Sequence, residues 1–184
     1  VSRIRRFVRD RVLVRQDMVI LRKEIVATPA PRSEVTLVPH EAYHHDIGAW
    51  YRRWGRSLGE EGLRLRFDRG LIYFTLERDR ETLASTWAIA QGERFVHEVG
   101  VGLAVGGGLV FLRDIFVAPP VRGRGWFAAL LDTVLARAYP QARALASAVR
   151  HTNLRSRGAH RSYGCVEVAR YRVWHAVGRV MVRL

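Results

Sequence analysis

At 184 residues and 48% apolar content, the chain is long enough for one domain around a full-sized core and is no disordered tail. Its formal net charge is +14, from 31 Lys+Arg against 17 Asp+Glu; Lys23 is the only lysine, so 30 arginines carry the charge, scattered in a way that fits either compositional bias or an anionic partner. The single cysteine, Cys165, excludes a disulfide framework and a multi-cysteine zinc site, which makes a reducing, cytoplasmic setting the default, and no run of about 18 uncharged apolar residues exists to span a membrane.

Residues 2–15 read as a basic N-terminal helix, with Ile4, Val8 and Val12 on one side. Arginines interrupt its apolar residues throughout, so it fits a surface helix, able to serve a dimer or an anionic membrane contact, better than a targeting signal. MVILRKEI (18–25) reads as a strand, and residues 26–33 as a linker in which prolines remove backbone donors. VTLVP (35–39) is a short strand. HEAYHHDIGAWYRRWGRSL (40–58) reads as a helix with an aromatic face of Tyr43, Trp50, Tyr51 and Trp54, bounded by GEEG. Strands are then expected at 71–78, 82–90 and, as one run, 94–105. After the three glycines 106–108 comes LVFLRDIFV (109–117), apolar on both faces and therefore central in a sheet. A helix follows from Phe127 to Ala138 and stops at Pro140; ALASAVR (144–150) is a strand, 154–163 a short helix, and the last twenty residues supply one or two closing strands. This order describes a single α/β domain with a mixed sheet.

The chemistry concentrates where the central strand runs through Pro119-Pro120-Val121-Arg122-Gly123-Arg124-Gly125-Trp126-Phe127 into a helix. A glycine-rich turn opening a helix presents outward backbone N–H groups at the positive end of the helix dipole, which is a seat for phosphate. Arg122 and Arg124 add charge-assisted contacts. This stretch resembles the acetyl-CoA site of the GCN5-related N-acetyltransferase (GNAT) superfamily, whose pattern is Arg/Gln-x-x-Gly-x-Gly/Ala after a strand; Phe127 stands where that family prefers Gly or Ala. A second stretch, NLRSRGAHRSYGC, places Asn153, Ser156, His160, Gly164 and Cys165 at the family's downstream steps, with His160 where a tyrosine is common.

The resemblance implies a GNAT-like, mostly antiparallel mixed sheet flanked by helices, here with the extra N-terminal basic helix. Residues 109–164 would form the acetyl-CoA-binding core. It also implies acetyl transfer from acetyl-CoA to an amine, without a metal. Pantetheine would pair with main chain at Phe116 and Val117, the Val117 N–H would polarise the thioester carbonyl, and the pyrophosphate would lie on amides from Arg122 to Phe127, including Gly123, Arg124, Gly125 and Trp126. Asn153 either holds the pantetheine or caps the helix it precedes. His160 or Tyr163 is the candidate acid for the departing thiolate, unless the step needs no side chain. Asp114 and Glu98 are the candidate bases, although in a chain with thirty arginines pairing with one of them is the commoner fate of either carboxylate. His44, His45 and His97 lack metal-ligand spacing, and Trp50, Trp54 and Trp87 read as core.

The expected partner is a small-molecule, amino-sugar or peptide amine, with the excess positive charge favouring one that carries phosphate or carboxylate. A catalytically weak CoA- or anion-binding module of the same fold is the alternative. A basic nucleic-acid-binding protein is a further one that no nucleic-acid motif supports.

Overall fold

The computed structural model describes residues 13–90, 92–96, 101–176 and 179–183. Ten strands are present among them: β1 (Leu13–Glu24), β2 (Thr36–His40), β3 (Ile72–Arg78), β4 (Glu81–Ile89), β5 (Gly92–Val96), β6 (Val101–Val105), β7 (Leu109–Val117), β8 (Ala144–Arg150), β9 (Val166–Ala176) and β10 (Arg179–Arg183). The helices are α1 (His45–Arg53), α2 (Glu60–Asp68), α3 (Trp126–Ala138) and α4 (Leu154–Ser162). Eight strands form one sheet in the order β10-β9-β1-β8-β7-β4-β3-β2, and β5 pairs with β6 apart from it. Every neighbouring pair is antiparallel except β7 and β8.

Alternation along β7 explains the layers. Val110 and Leu112 point into one core, shared with Leu130, Leu131 and Val134 of α3, while Phe111 points into a second, shared with Ile47 and Tyr51 of α1 and Leu63 of α2. A strand apolar on both faces thus lies between two helical layers, as its sequence predicts. The mixed α/β architecture expected from the resemblance is the one observed.

Four local expectations change. The basic helix was expected over 2–15; residues 1–12 lie outside the described residues, and Leu13 to Arg15 belong to β1, where they pair with β9. The helix expected over 40–58 spans only His45–Arg53, because Gly55 takes a left-handed φ of 61° just past its end. Beyond it α2, which the sequence reading did not assign, starts at Gly59 with Glu60 and Glu61 in its first turn. The single strand expected over 94–105 is instead two strands, β5 and β6, paired with each other.

The sheet opens at the parallel pair β7–β8. Ladder pairing between β7 and β8 runs from Leu109 opposite Ala144 to Leu112 opposite Ser147 and stops there. Against β4, the stretch from Arg113 to Phe116 spans the same length as Ser85 to Trp87, so β7 carries an extra residue. This bulge includes Asp114, whose φ is +57°. A bulge bends and over-twists its strand, which carries β7 away from β8 and leaves a wedge between them.

Candidate functional site

On one side of the wedge lies a cavity of about 600 Å³, lined by the end of β7, the start of α3 and one side of α4. Gly123 and Gly125 adopt left-handed φ values of 78° and 79°, and Gly125 is the helix N-cap with no side chain capping it. The first intrahelical bond runs from Ala129 N–H to Gly125 O, so the amides of Trp126, Phe127 and Ala128 remain at the helix mouth without helical acceptors. A Cβ on Gly125 would lie 2.7 Å from an Arg32 guanidinium nitrogen, so a side chain there would have to move the end of Arg32 aside. Arg32 itself stacks over Trp126 from the linker.

Arg122 and Arg155 line this cavity together. Burial first, and then the like charge of Arg155, lower the Arg122 pKa, so the two cations share one stretch of the cavity wall. Arg122 Nε donates to Val117 O at 2.9 Å and its guanidinium lies over the Phe116 ring. Arg124 is exposed between the two glycines. Phe127 projects its ring against His160 and Tyr163, at centroid distances of 5.0 and 6.4 Å.

Main-chain polarity at the end of β7 follows from one bond. Ala118 N–H donates to Leu83 O at 2.9 Å, so by the alternation of an antiparallel pair the Val117 N–H points away from β4, into the wedge.

The second cavity, about 610 Å³, is lined by the α1–α2 connection, β7, β8 and α4. It shares Ile115, Asn153 and Ser156 with the first, so the two meet across the wedge. Asp114 stands in its wall. Its carboxylate pairs with Arg56 and with Arg66 at 2.9 Å and accepts a hydrogen bond from the Tyr51 hydroxyl at 2.8 Å, which in turn accepts one from Trp87 Nε1 at 2.7 Å. Burial alone would raise the Asp114 pKa, but the charges of Arg56 and then Arg66, with hydrogen bonds from Arg66 and Tyr51, hold it down to about 2. Of the two fates open to Asp114 from the sequence, base or arginine partner, the geometry builds the second.

His160 is 1% exposed. Its Nδ1 lies 2.7 Å from Ser156 O, which can only accept, so Nδ1 carries the proton. Nε2 lies 2.6 Å from Ser147 Oγ and in the neutral ring is left to accept the serine proton. Burial lowers the His160 pKa against the opposing effect of the Ser156 carbonyl, so the ring is neutral at pH 7. This tautomer can take up a proton through Ser147 and has none to give from Nε2. Ser147, the last position of β8 paired with β7, had no motif around it to mark it in the sequence.

Tyr163 lines the first cavity, but its hydroxyl donates to Asp132 Oδ1 at 2.7 Å; burial and that carboxylate push its pKa far up. Asn153 caps α4, its side chain accepting from Ser156 N–H at 3.1 Å, and it also lines both cavities. Glu98 and His97 lie outside the described residues. Cys165 is buried, and burial pushes its thiol up to about 11. Trp87 is fully buried, whereas Trp50 and Trp54 are half-buried against Phe116. His44, His45 and Asp46 come within 4.8 Å of one another, closer than their sequence spacing suggested, but all three are exposed. His44 Nδ1 there accepts from Asp46 N–H as the cap of α1.

The chain matches the Acetyltransferase (GNAT) family over residues 39–165, and it belongs to that family. No curated protein matches it. Among solved structures it is similar to a GNAT-family protein from Novosphingobium aromaticivorans, at 14% identity and a TM-score of 0.59, covering 88% of this chain and 64% of that one. A GCN5-related N-acetyltransferase from Sphaerobacter thermophilus is similar at 12% identity and 0.57, over 96% of this chain and 57% of that one. An aminoglycoside N-acetyltransferase in complex with CoA is similar at 21% identity and 0.54, over 76% and 93%. The chain thus spans less than two thirds of the first two proteins, and at these identities the likeness is one of fold. Among the described residues, no helix is long and apolar enough to cross a membrane.

Proposed function

We propose that the chain transfers an acetyl group from acetyl-CoA to the amine of a small molecule, amino sugar or peptide. The observation that carries this reading is the meeting of two cavities at Ile115, Asn153 and Ser156, one ending on the bare amides of α3 and the other entered from α1 and α2. Such a layout lets donor and acceptor approach one point from opposite sides.

The residues of the first cavity fit acetyl-CoA: the amides from Trp126 to Ala128 would take the pyrophosphate, with Arg122, Arg155 and Arg32 supplying charge. When bound there, acetyl-CoA supplies an activated acyl thioester. The Val117 N–H, fixed by the β4–β7 ladder, is the donor for the oxygen on which negative charge develops. Ser147 and His160 are the proton acceptor, Ser147 passing a proton to Nε2 while Nδ1 stays on the Ser156 carbonyl. Asp114 holds Arg56, Arg66 and Tyr51 in place.

The test is calorimetric titration of acetyl-CoA into the wild-type chain and into Gly125→Trp, followed by a thiol-release assay with a panel of amines. Saturable binding that Gly125→Trp abolishes, with amine-dependent thiol release, supports the reading. Phe127 in the place of a small residue favours one alternative, a binding module without turnover, for which the signature is binding with no thiol release for any amine.

A further inference from the structure

The second cavity is cationic, and its charge does not follow from the fold. Arg56 and Arg66, with side chains 9% and 12% exposed, both turn onto the single carboxylate of Asp114. Two buried cations around one anion leave a net positive charge at the cavity wall. Arg150, exposed at the rim on β8, adds a second without an ion pair among the described residues, and Arg113 lines the wall as well. The titratable groups opposite do not offset this: His160 is neutral and the Tyr51 phenol is held protonated, its pKa pushed far up by burial and by Asp114. Asp114 is the only acidic residue lining the cavity among the described residues.

A cavity built this way disfavours a compound whose only charge is its ammonium group, and more strongly a polyamine. Two guanidiniums held nearly rigid by a shared carboxylate, with a third at the rim, offer planar donor forks that match paired oxygens of a carboxylate or phosphate. A volume of about 610 Å³ suits a small molecule.

Resting on the acetyltransferase reading, we propose that the acceptor is a small amine that carries its own anionic group, a phosphate or a carboxylate, seated by Arg56, Arg66 and Arg150. The anionic group docks toward the α1–α2 connection, which leaves the amine directed at the wedge, where Ser147 and His160 line this cavity and Val117 lines the one that adjoins it.

The experiment uses the full chain in two arms. In the first, inorganic phosphate is titrated calorimetrically into protein saturated with CoA, so that the seat at α3 is already filled. Saturable binding is expected, weakened at least fivefold by Arg150→Gln, an exposed position whose replacement is checked for an unchanged melting temperature. In the second arm, thiol release from acetyl-CoA is compared for O-phosphoethanolamine against ethanolamine and for β-alanine against propylamine. The anionic member of each pair is expected to have at least tenfold higher kcat/KM, and the pair with the larger ratio identifies phosphate or carboxylate. Equal or better use of ethanolamine, propylamine or spermidine overturns the proposal while leaving the donor site intact, as does absence of phosphate binding to the CoA-loaded chain. If acetyl-CoA itself does not bind, the acetyltransferase reading fails separately. Phosphate titration of Gly125→Trp, whose seat at α3 is blocked, then decides the cationic cavity by the same criterion of saturable binding sensitive to Arg150.

Discussion

At Asp114 a left-handed backbone and a carboxylate shared by two guanidiniums coincide. Asparagine tolerates the same backbone region, so Asp114→Asn removes charge with little added strain. It leaves Arg56 and Arg66 buried without a counter-charge, and a loss of about 2–3 kcal/mol is expected by urea unfolding, below the range for fully buried pairs because the carboxylate is partly exposed. The pH dependence has a definite sign. The folded pKa of about 2 lies below that of the unfolded chain, so the pairing contributes fully above about pH 4 and is lost as pH falls toward 2. Melting curves of wild type and Asp114→Asn should therefore converge over that window. His160 behaves differently: its folded pKa is lowered, so the unfolded chain takes up a proton first and stability declines as pH falls below about 6.5. His160→Gln should flatten this part of the curve, while an NMR titration of the wild-type ring should keep it neutral at pH 6.5. The positions of Asn153, His160 and the glycines of the turn were legible in the sequence because each sits in a local motif, although His160 was expected as an acid and its Nε2 has no proton to give. Ser147, Arg56 and Arg66 were not, since their roles come from a bulge on one strand and a helix far from it in sequence, which no spacing rule encodes.

Elements carry the next level of control. The start of α3 depends on Gly125, where any side chain must take φ near +79° and displace Arg32. Gly125→Ala is expected to cost about 1–2 kcal/mol of stability and to weaken acetyl-CoA binding at least tenfold, since the amides at the helix mouth shift with the turn; unfolding and calorimetry on the same preparation separate the two effects. The break between α1 and α2 is the element that sequence reading placed least well. The periodicity of Tyr43, Trp50 and Trp54 suggests one continuing helix, and that aromatic signal outweighed the local one, a glycine at 55 to end a helix and Gly59-Glu60-Glu61 to start another. The misplacement matters for the site, because Arg56 lies in the connection and Arg66 on α2. In contrast β7, α3, β8 and α4 were read almost residue for residue, each having a strong period and a clear stop at Val117, Pro140, Arg150 or Gly164.

Across the whole molecule, the family match covers residues 39–165, whereas β1 lies before it and β9 and β10 after it. These outer strands nevertheless belong to the same sheet, with β1 hydrogen-bonded to β8 on one side and β9 on the other. Val19 and Leu21 of β1 are fully buried in the core that also holds α3. Hydrogen exchange should accordingly find the amides of Val19 to Leu21 among the slowest in the protein, and deletion of residues 13–24 should yield a chain without a cooperative melting transition. The sequence could place β1 as a strand but not its neighbours, because strand order is set by contacts between distant segments and leaves no periodic trace.

That position of β1 also orders events in time. Met18 faces Arg150 and Leu13 faces Ala176, so β1 waits for partners made long after it. Until β9 is made, β1, which supports β8 on the side away from β7, is itself an unpaired edge. The frame around the wedge is thus completed late, and a chain stalled before β9 would carry every residue of the two cavities on a sheet whose β1 is held from one side only.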